Sequence, residues 1–153
     1  MKIATQIHAA PADVYSRLVH NVGDWWSSAH SFSADAHNLS IDDRPLGCFC
    51  EKLASGGVRH MEVVFVSPGK MLRMSGGLGP LQGIAAAGSM TFTFTPAEGG
   101  TRLKVTYTVV GYIAQGMNTW AAPVNAVLAE QIMRLKNYIE TGNPAGASEA
   151  PKK

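Results

Sequence analysis

Three features of the sequence predict an α+β protein whose helices lie on one face of an antiparallel sheet. The first is a long amphipathic stripe over residues 117–141. At 3.6 residues per turn Met117, Trp120, Ala121, Val124, Val127, Leu128, Ile132, Leu135, Tyr138 and Ile139 share one side, and Asn118, Asn125, Glu130, Arg134, Lys136, Asn137 and Glu140 take the other. The second is the texture of residues 38–112, where short apolar runs of period two are parted by turn formers. The third is a single alternating strand at the amino terminus, followed directly by a helix that opens on proline.

Taken in order, Lys2 to Ala9 alternates Ile3, Thr5 and Ile7 with Ala4, Gln6 and His8, a half-buried strand. Pro11 opens a helix at the position where its missing N–H costs least. Asp13 favours the positive end of that helix, which turns Val14, Tyr15 and Leu18 inward and runs to about His20. Asn21 to His30 is a second short helical or turn segment. It carries Trp25 and Trp26, which are too costly to expose together. Strands are then expected at Asn38–Asp42, Gly47–Leu53, Val58–Val66, Met71–Ser75, Ser89–Thr95 and Thr101–Tyr112. The links between them are short and rich in Gly, Pro, Ser and Asp, which implies antiparallel neighbours. Met90, Phe92 and Phe94 alternate with threonines, so one face of the sheet is apolar. Thr119 is placed to cap the long helix, Pro123 is tolerable only in its first turn, and Gly142-Asn143-Pro144 end it. The expected organisation is one domain over residues 1–142 and a disordered tail over 143–153, which lacks the apolar groups to repay its ordering.

Composition narrows the function classes. Hydrophobic residues make up 46% and charged ones 16%, more apolar content than a surface needs, and an internal apolar pocket accounts for the surplus. The net charge is +2, and two of the lysines sit in the tail, so no basic face for nucleic acid is expected. No apolar run reaches the ~18 residues of a membrane span, and the first residues form no hydrophobic signal core. As given, the chain is expected in the cytoplasm, with a leader removed ahead of Met1 left open. Oligomeric state is not encoded in any of these patterns.

The motifs of nucleophilic, zinc-protease and phosphate-binding chemistry are missing from the sequence, and no cofactor is expected. Cys48 and Cys50 share one strand face, as do His60 and Glu62 on the next strand. Two hairpin registers are open. A three-residue turn sets Cys50 opposite His60 and Cys48 opposite Glu62, a cluster of metal-ligand types. A two-residue turn sets Glu51 opposite His60, an acid-base pair. The metal site is the weaker alternative, and none is expected. A disulfide between two cysteines of one strand is strained, so free thiols and a reducing compartment are expected. Gln131 stands in the middle of the apolar stripe with a full amide to satisfy, which points to a cavity.

Four segments carry a resemblance: 7–15 (IHAAPADVY), 24–26 (DWW), 45–51 (PLGCFCE) and 67–73 (SPGKMLR). In this order and spacing the chain resembles the SRPBCC superfamily, the START and birch-pollen-allergen type, in its polyketide-cyclase-like or chaperone-ATPase-activator-like branch. The likeness covers residues 1 to about 141. It implies a helix-grip fold: a curved antiparallel sheet of about six to seven strands around the long C-terminal helix, two short helices after the first strand, and a hydrophobic pocket between sheet and helix. The loop from Gly76 to Ala87, with Leu78, Pro80, Leu81 and Ile84, then becomes a lid at the pocket mouth. A small hydrophobic molecule is the expected partner, held by Trp26, Glu51, Met90, Phe92, Tyr107, Val124, Leu128 and Gln131. The alternatives are a cyclase- or dehydratase-like enzyme, with Glu51, His60 or Tyr107 as acid-base groups in the same pocket, and an interaction module of the chaperone-activator type.

Overall fold

A computed structural model describes residues 1–146; most of the predicted tail, residues 147–153, lies outside the described residues. The elements run β1 (Lys2–Ile7), α1 (Pro11–His20), α2 (Val22–Trp25), β2 (Leu39–Ile41), β3 (Cys48–Lys52), β4 (Gly57–Ser67), β5 (Met71–Ser75), β6 (Ala85–Ala97), β7 (Gly100–Tyr112) and α3 (Ala121–Thr141). All seven strands join in one sheet in the order β1-β7-β6-β5-β4-β3-β2, and every neighbouring pair is antiparallel. The sheet curls into a half-barrel against α3. Only β1 leaves chain order. It pairs with β7 from Lys2↔Thr106 to Ile7↔Thr101 and so closes the far edge.

The period-two pattern decides what the sheet buries. Met90, Phe92 and Phe94 of β6 and Leu103, Val105 and Tyr107 of β7 all face the core, while the intervening residues are exposed or half-buried. Val14, Tyr15, Leu18 and Val19 of α1 meet that face. Trp25 and Trp26 are both packed, ring centroids 5.5 Å apart. Each indole donates to a backbone carbonyl, Trp25 to Arg17 at 3.1 Å and Trp26 to His30 at 3.0 Å, which removes the penalty of burying an N–H.

The long helix departs from its predicted form at its start. Residues Met117–Trp120 form a 3-10 turn, and the α-helix begins at Ala121, which leaves Pro123 within the first turn. Thr119 does not cap it: its hydroxyl donates to the Gly116 carbonyl at 2.8 Å, because the tighter turn aims it backwards. At the other end Gly142, at φ +76, takes the left-handed cap and donates to the Tyr138 carbonyl at 2.9 Å. The apolar stripe is buried only from Leu128 onward, through Ile132 and Leu135. The two turns before it, with Val124 and Val127 half-buried, overhang the sheet instead of packing on it. Among the described residues no helix is long and apolar enough to cross a membrane.

Candidate functional site

The overhang of α3 leaves space on two sides of Trp120 and Val124. A cavity of about 340 Å³ is walled by Trp26, Phe32, Leu39, Phe49, His60, Leu78, Pro80, Trp120, Pro123, Val124, Val127 and Leu128. A second, of about 530 Å³, lies against Met1, Leu81, Tyr107, Val109, Met117, Trp120 and Ala122. Behind the first is a void of about 20 Å³, bounded by Met90, Phe92, Leu128 and Gln131, room for about one water molecule. The loop predicted as a lid folds into a short 3-10 turn, Gly79–Gly83, and places Leu78 and Pro80 on the first cavity.

The chemistry of the first cavity comes from a register shift in the β3–β4 hairpin. Cys48 faces Glu62 and Phe49 faces Met61, but Cys50 faces Arg59, so His60 is an extra residue on β4. The hairpin closes with Lys52 opposite Gly57, a four-residue connection that neither predicted register contains. The bulge turns both His60 and Met61 inward. It thereby brings His60 Nε2 to 3.0 Å from Glu51 Oε2, the acid-base pair of the two-residue register, reached by another backbone path.

On the outer side of β3 the sequence expectation fails. Cys48 and Cys50 are joined as a disulfide, not free thiols, so the inference of a reducing compartment drawn from free thiols loses its basis. Two residues of ordinary strand span about 6.4 to 6.8 Å. Here the Cα atoms are 5.3 Å apart, at the point where the pairing slips, and that distance lies within the reach of a disulfide. Among the described residues no three His, Cys, Asp or Glu side chains are grouped to hold a metal.

Glu51 is 2% exposed and accepts from three donors: the backbone N–H groups of Phe32 (3.1 Å) and Ser33 (2.5 Å), and His60. Burial by itself raises its pKa, but the hydrogen bonds from Ser33, Phe32 and His60 outweigh it and hold the carboxyl below the usual glutamate range. His60 is pushed the other way from its partner's pull: burial lowers its pKa against the raising effect of Glu51. A neutral imidazole therefore leans on an ionised carboxylate. A carboxylate only accepts, so Nε2 carries the proton and Nδ1 keeps the lone pair. Nδ1 is buried with no hydrogen-bond partner. The ring stacks on Phe32, with centroids 5.8 Å apart and planes at 24°, and tilts against Phe49 at 5.1 Å.

The other expected site residues divide. Trp26, Val124 and Leu128 line the same cavity as His60. Met90, Phe92 and Gln131 face the small void behind it. Glu51 does not line the cavity and bonds to two residues that do, His60 and Phe32. Gln131 is fully buried, and its Oε1 accepts the Ser27 N–H at 2.8 Å, tying α3 to the turn that frames the cavity; its Nε2 has no partner. Tyr107 belongs to the larger cavity, and its hydroxyl is engaged as a latch: it donates to the Gly76 carbonyl at 3.0 Å and accepts from Leu78 N–H at 2.9 Å. A side chain at Gly88 would come within 2.4 Å of the Gly76 carbonyl and 2.9 Å of that hydroxyl, so the latch needs glycine there. Phe32 and Phe49 were not singled out by the sequence. Phe49 was within reach, since it shares a strand face with Glu51, whereas Phe32 sits in a segment without periodicity.

A seven-stranded antiparallel sheet curled about a long C-terminal helix defines a helix-grip fold. Solved structures bear this out at the level of fold. An uncharacterized protein from Rhizobium leguminosarum superposes with a TM-score of 0.64 at 17% identity, over 92% of this chain and 93% of that one. DynU16, a protein of the dynemicin biosynthetic locus, gives 0.68 at 20% identity over 96% of this chain, which spans about half (49%) of that protein. The Aha1 dimer from Colwellia psychrerythraea gives 0.61 at 15% identity, over 93% and 96% of the two chains. No protein-family model and no curated protein sequence matches the chain. At such identities the likeness is one of fold, and function rests on the site.

Proposed function

We propose that the protein binds a small hydrophobic, aromatic molecule in the cavity of about 340 Å³ between the sheet and the first turns of α3. The observation that carries this is the cavity's wall: five aromatic rings, Trp26, Phe32, Phe49, His60 and Trp120, face aliphatic side chains of α3 and the 78–80 turn. Its volume falls in the range of small-molecule sites, and flat rings are natural partners for stacked rings. The 530 Å³ cavity is the weaker choice, because the Tyr107 hydroxyl there already has two partners. An enzymatic role of the cyclase or dehydratase kind is the second reading, and in it the acid-base group is His60, which lines the cavity, and not Glu51, both of whose oxygens are engaged by protein donors. DynU16 comes from a biosynthetic locus, which is compatible with either.

The test is titration with an environment-sensitive anilinonaphthalene dye, followed by competition with fatty acids and with polycyclic aromatics. Saturable binding at micromolar concentration is expected, displaced better by the aromatics. Leu128→Trp, which fills the cavity from α3, should abolish uptake while the circular dichroism spectrum is kept. Absence of saturable binding by the folded wild type overturns the proposal.

A further inference from the structure

His60, a lining residue of the proposed cavity, carries one polar atom without a partner. His60 is 5% exposed, its ring forms part of the wall, and Nδ1 has no hydrogen-bond partner. A buried acceptor without a donor is costly, and such groups in native proteins call for an explanation. Three features fix this one as an acceptor. Glu51 holds the proton on Nε2. The carboxylate is itself anchored by the Phe32 and Ser33 N–H groups. Phe32 and Phe49 hold the ring from its sides. Ala34, one residue beyond Ser33, is in the left-handed region at φ +57, a conformation that costs a β-carbon residue energy and persists where surrounding contacts impose it.

From this geometry we infer that the ligand is a hydroxylated aromatic, of phenol or naphthol type, whose O–H donates to His60 Nδ1 while its ring packs among Trp26, Phe49 and Leu128. Glu51 is a positioning residue: it sets the tautomer and does not touch the ligand. A hydroxyl on an aromatic ring is the better donor than an aliphatic alcohol, and the ring satisfies the apolar wall at the same time. The inference rests on the proposed use of this cavity and adds to it the one polar group that the ligand must carry.

The experiment compares 2-naphthol with 2-methoxynaphthalene, two probes of nearly equal shape of which only the first can donate. Wild-type protein should bind the naphthol about tenfold more tightly, the factor conferred by ~1.4 kcal/mol of hydrogen bonding. In protein labelled with 15N-histidine, the unprotonated ring nitrogen of His60, identified by its loss in His60→Phe, should shift with the naphthol and stay in place with the ether. Equal affinity for the two probes, or an unmoved nitrogen at saturation, overturns the hydroxyl assignment and leaves the apolar pocket standing. Failure of both probes together with the dye overturns both.

Discussion

Replacing Glu51 by glutamine tests the centre of the site with the smallest change in shape. The carboxylate serves three donors with two oxygens: Oε1 takes the Ser33 N–H, and Oε2 takes both the Phe32 N–H and His60 Nε2–H. An amide has one oxygen and one NH2 group. With its oxygen toward Ser33, the NH2 confronts the Phe32 N–H; with its oxygen toward Phe32 and His60, it confronts Ser33. Either way one backbone donor is stranded, at about 1–3 kcal/mol, and the remaining bonds lose the strengthening of a charged acceptor. Water reaches Phe32, which is 55% exposed, and softens the loss, so we expect about 2 kcal/mol at pH 7. For a domain of this size that is a fall of roughly 4–8 °C in Tm. The pH dependence gives a second reading of the same bond. Glu51 has a folded pKa below its unfolded value, so its contribution is complete above the unfolded value of 4.5 and is lost as pH falls through the depressed folded value. Protonated glutamic acid resembles glutamine, and the gap between wild type and Glu51→Gln should close in acid. Urea or thermal unfolding at several pH values from 7 to 3 measures it. A mutant as stable as wild type at pH 7, or a gap that stays constant down to pH 3, would refute the role given to this carboxylate.

Other outcomes follow from the neighbouring contacts. His60 is buried with a pKa below the usual value of 6.5, so wild-type stability should begin to fall as pH drops below about that value, well before Glu51 titrates; His60→Phe should lack that early phase in a pH series of melts. Tyr107→Phe removes the acceptor of the Leu78 N–H and should cost about 1–2 kcal/mol, with faster amide exchange at Leu78 as the specific sign. Gln131→Glu keeps an oxygen for Ser27 but places a carboxyl in the apolar void, so it should destabilise more at pH 7 than at pH 5, the reverse of a surface carboxylate. Alkylation of unreduced, denatured protein should label neither Cys48 nor Cys50, and mass spectrometry decides it.

Periodicity alone was enough for the class and most of the elements. The alternation in β6 and β7, the proline at the start of α1 and the glycine at the end of α3 are local devices, each settled by a few neighbouring residues, and they reappear at or near their predicted positions. The stripe on α3 likewise told which side of the helix faces the sheet, but not how closely. Only the tertiary structure shows a cavity under its first turns, which follow the 3-10 turn at Met117–Trp120. The site belongs to the same kind of decision. Whether Glu51 meets His60 depends on strand register, and register depends on one bulge residue that no spacing rule distinguishes from its neighbours. That bulge turns His60 inward beside the bonded pair Cys48 and Cys50, and the buried ring keeps Nδ1 without a partner. Residue types came from the sequence, whereas their pairing came from the strand register and its one bulge, about which residue spacing carries no information.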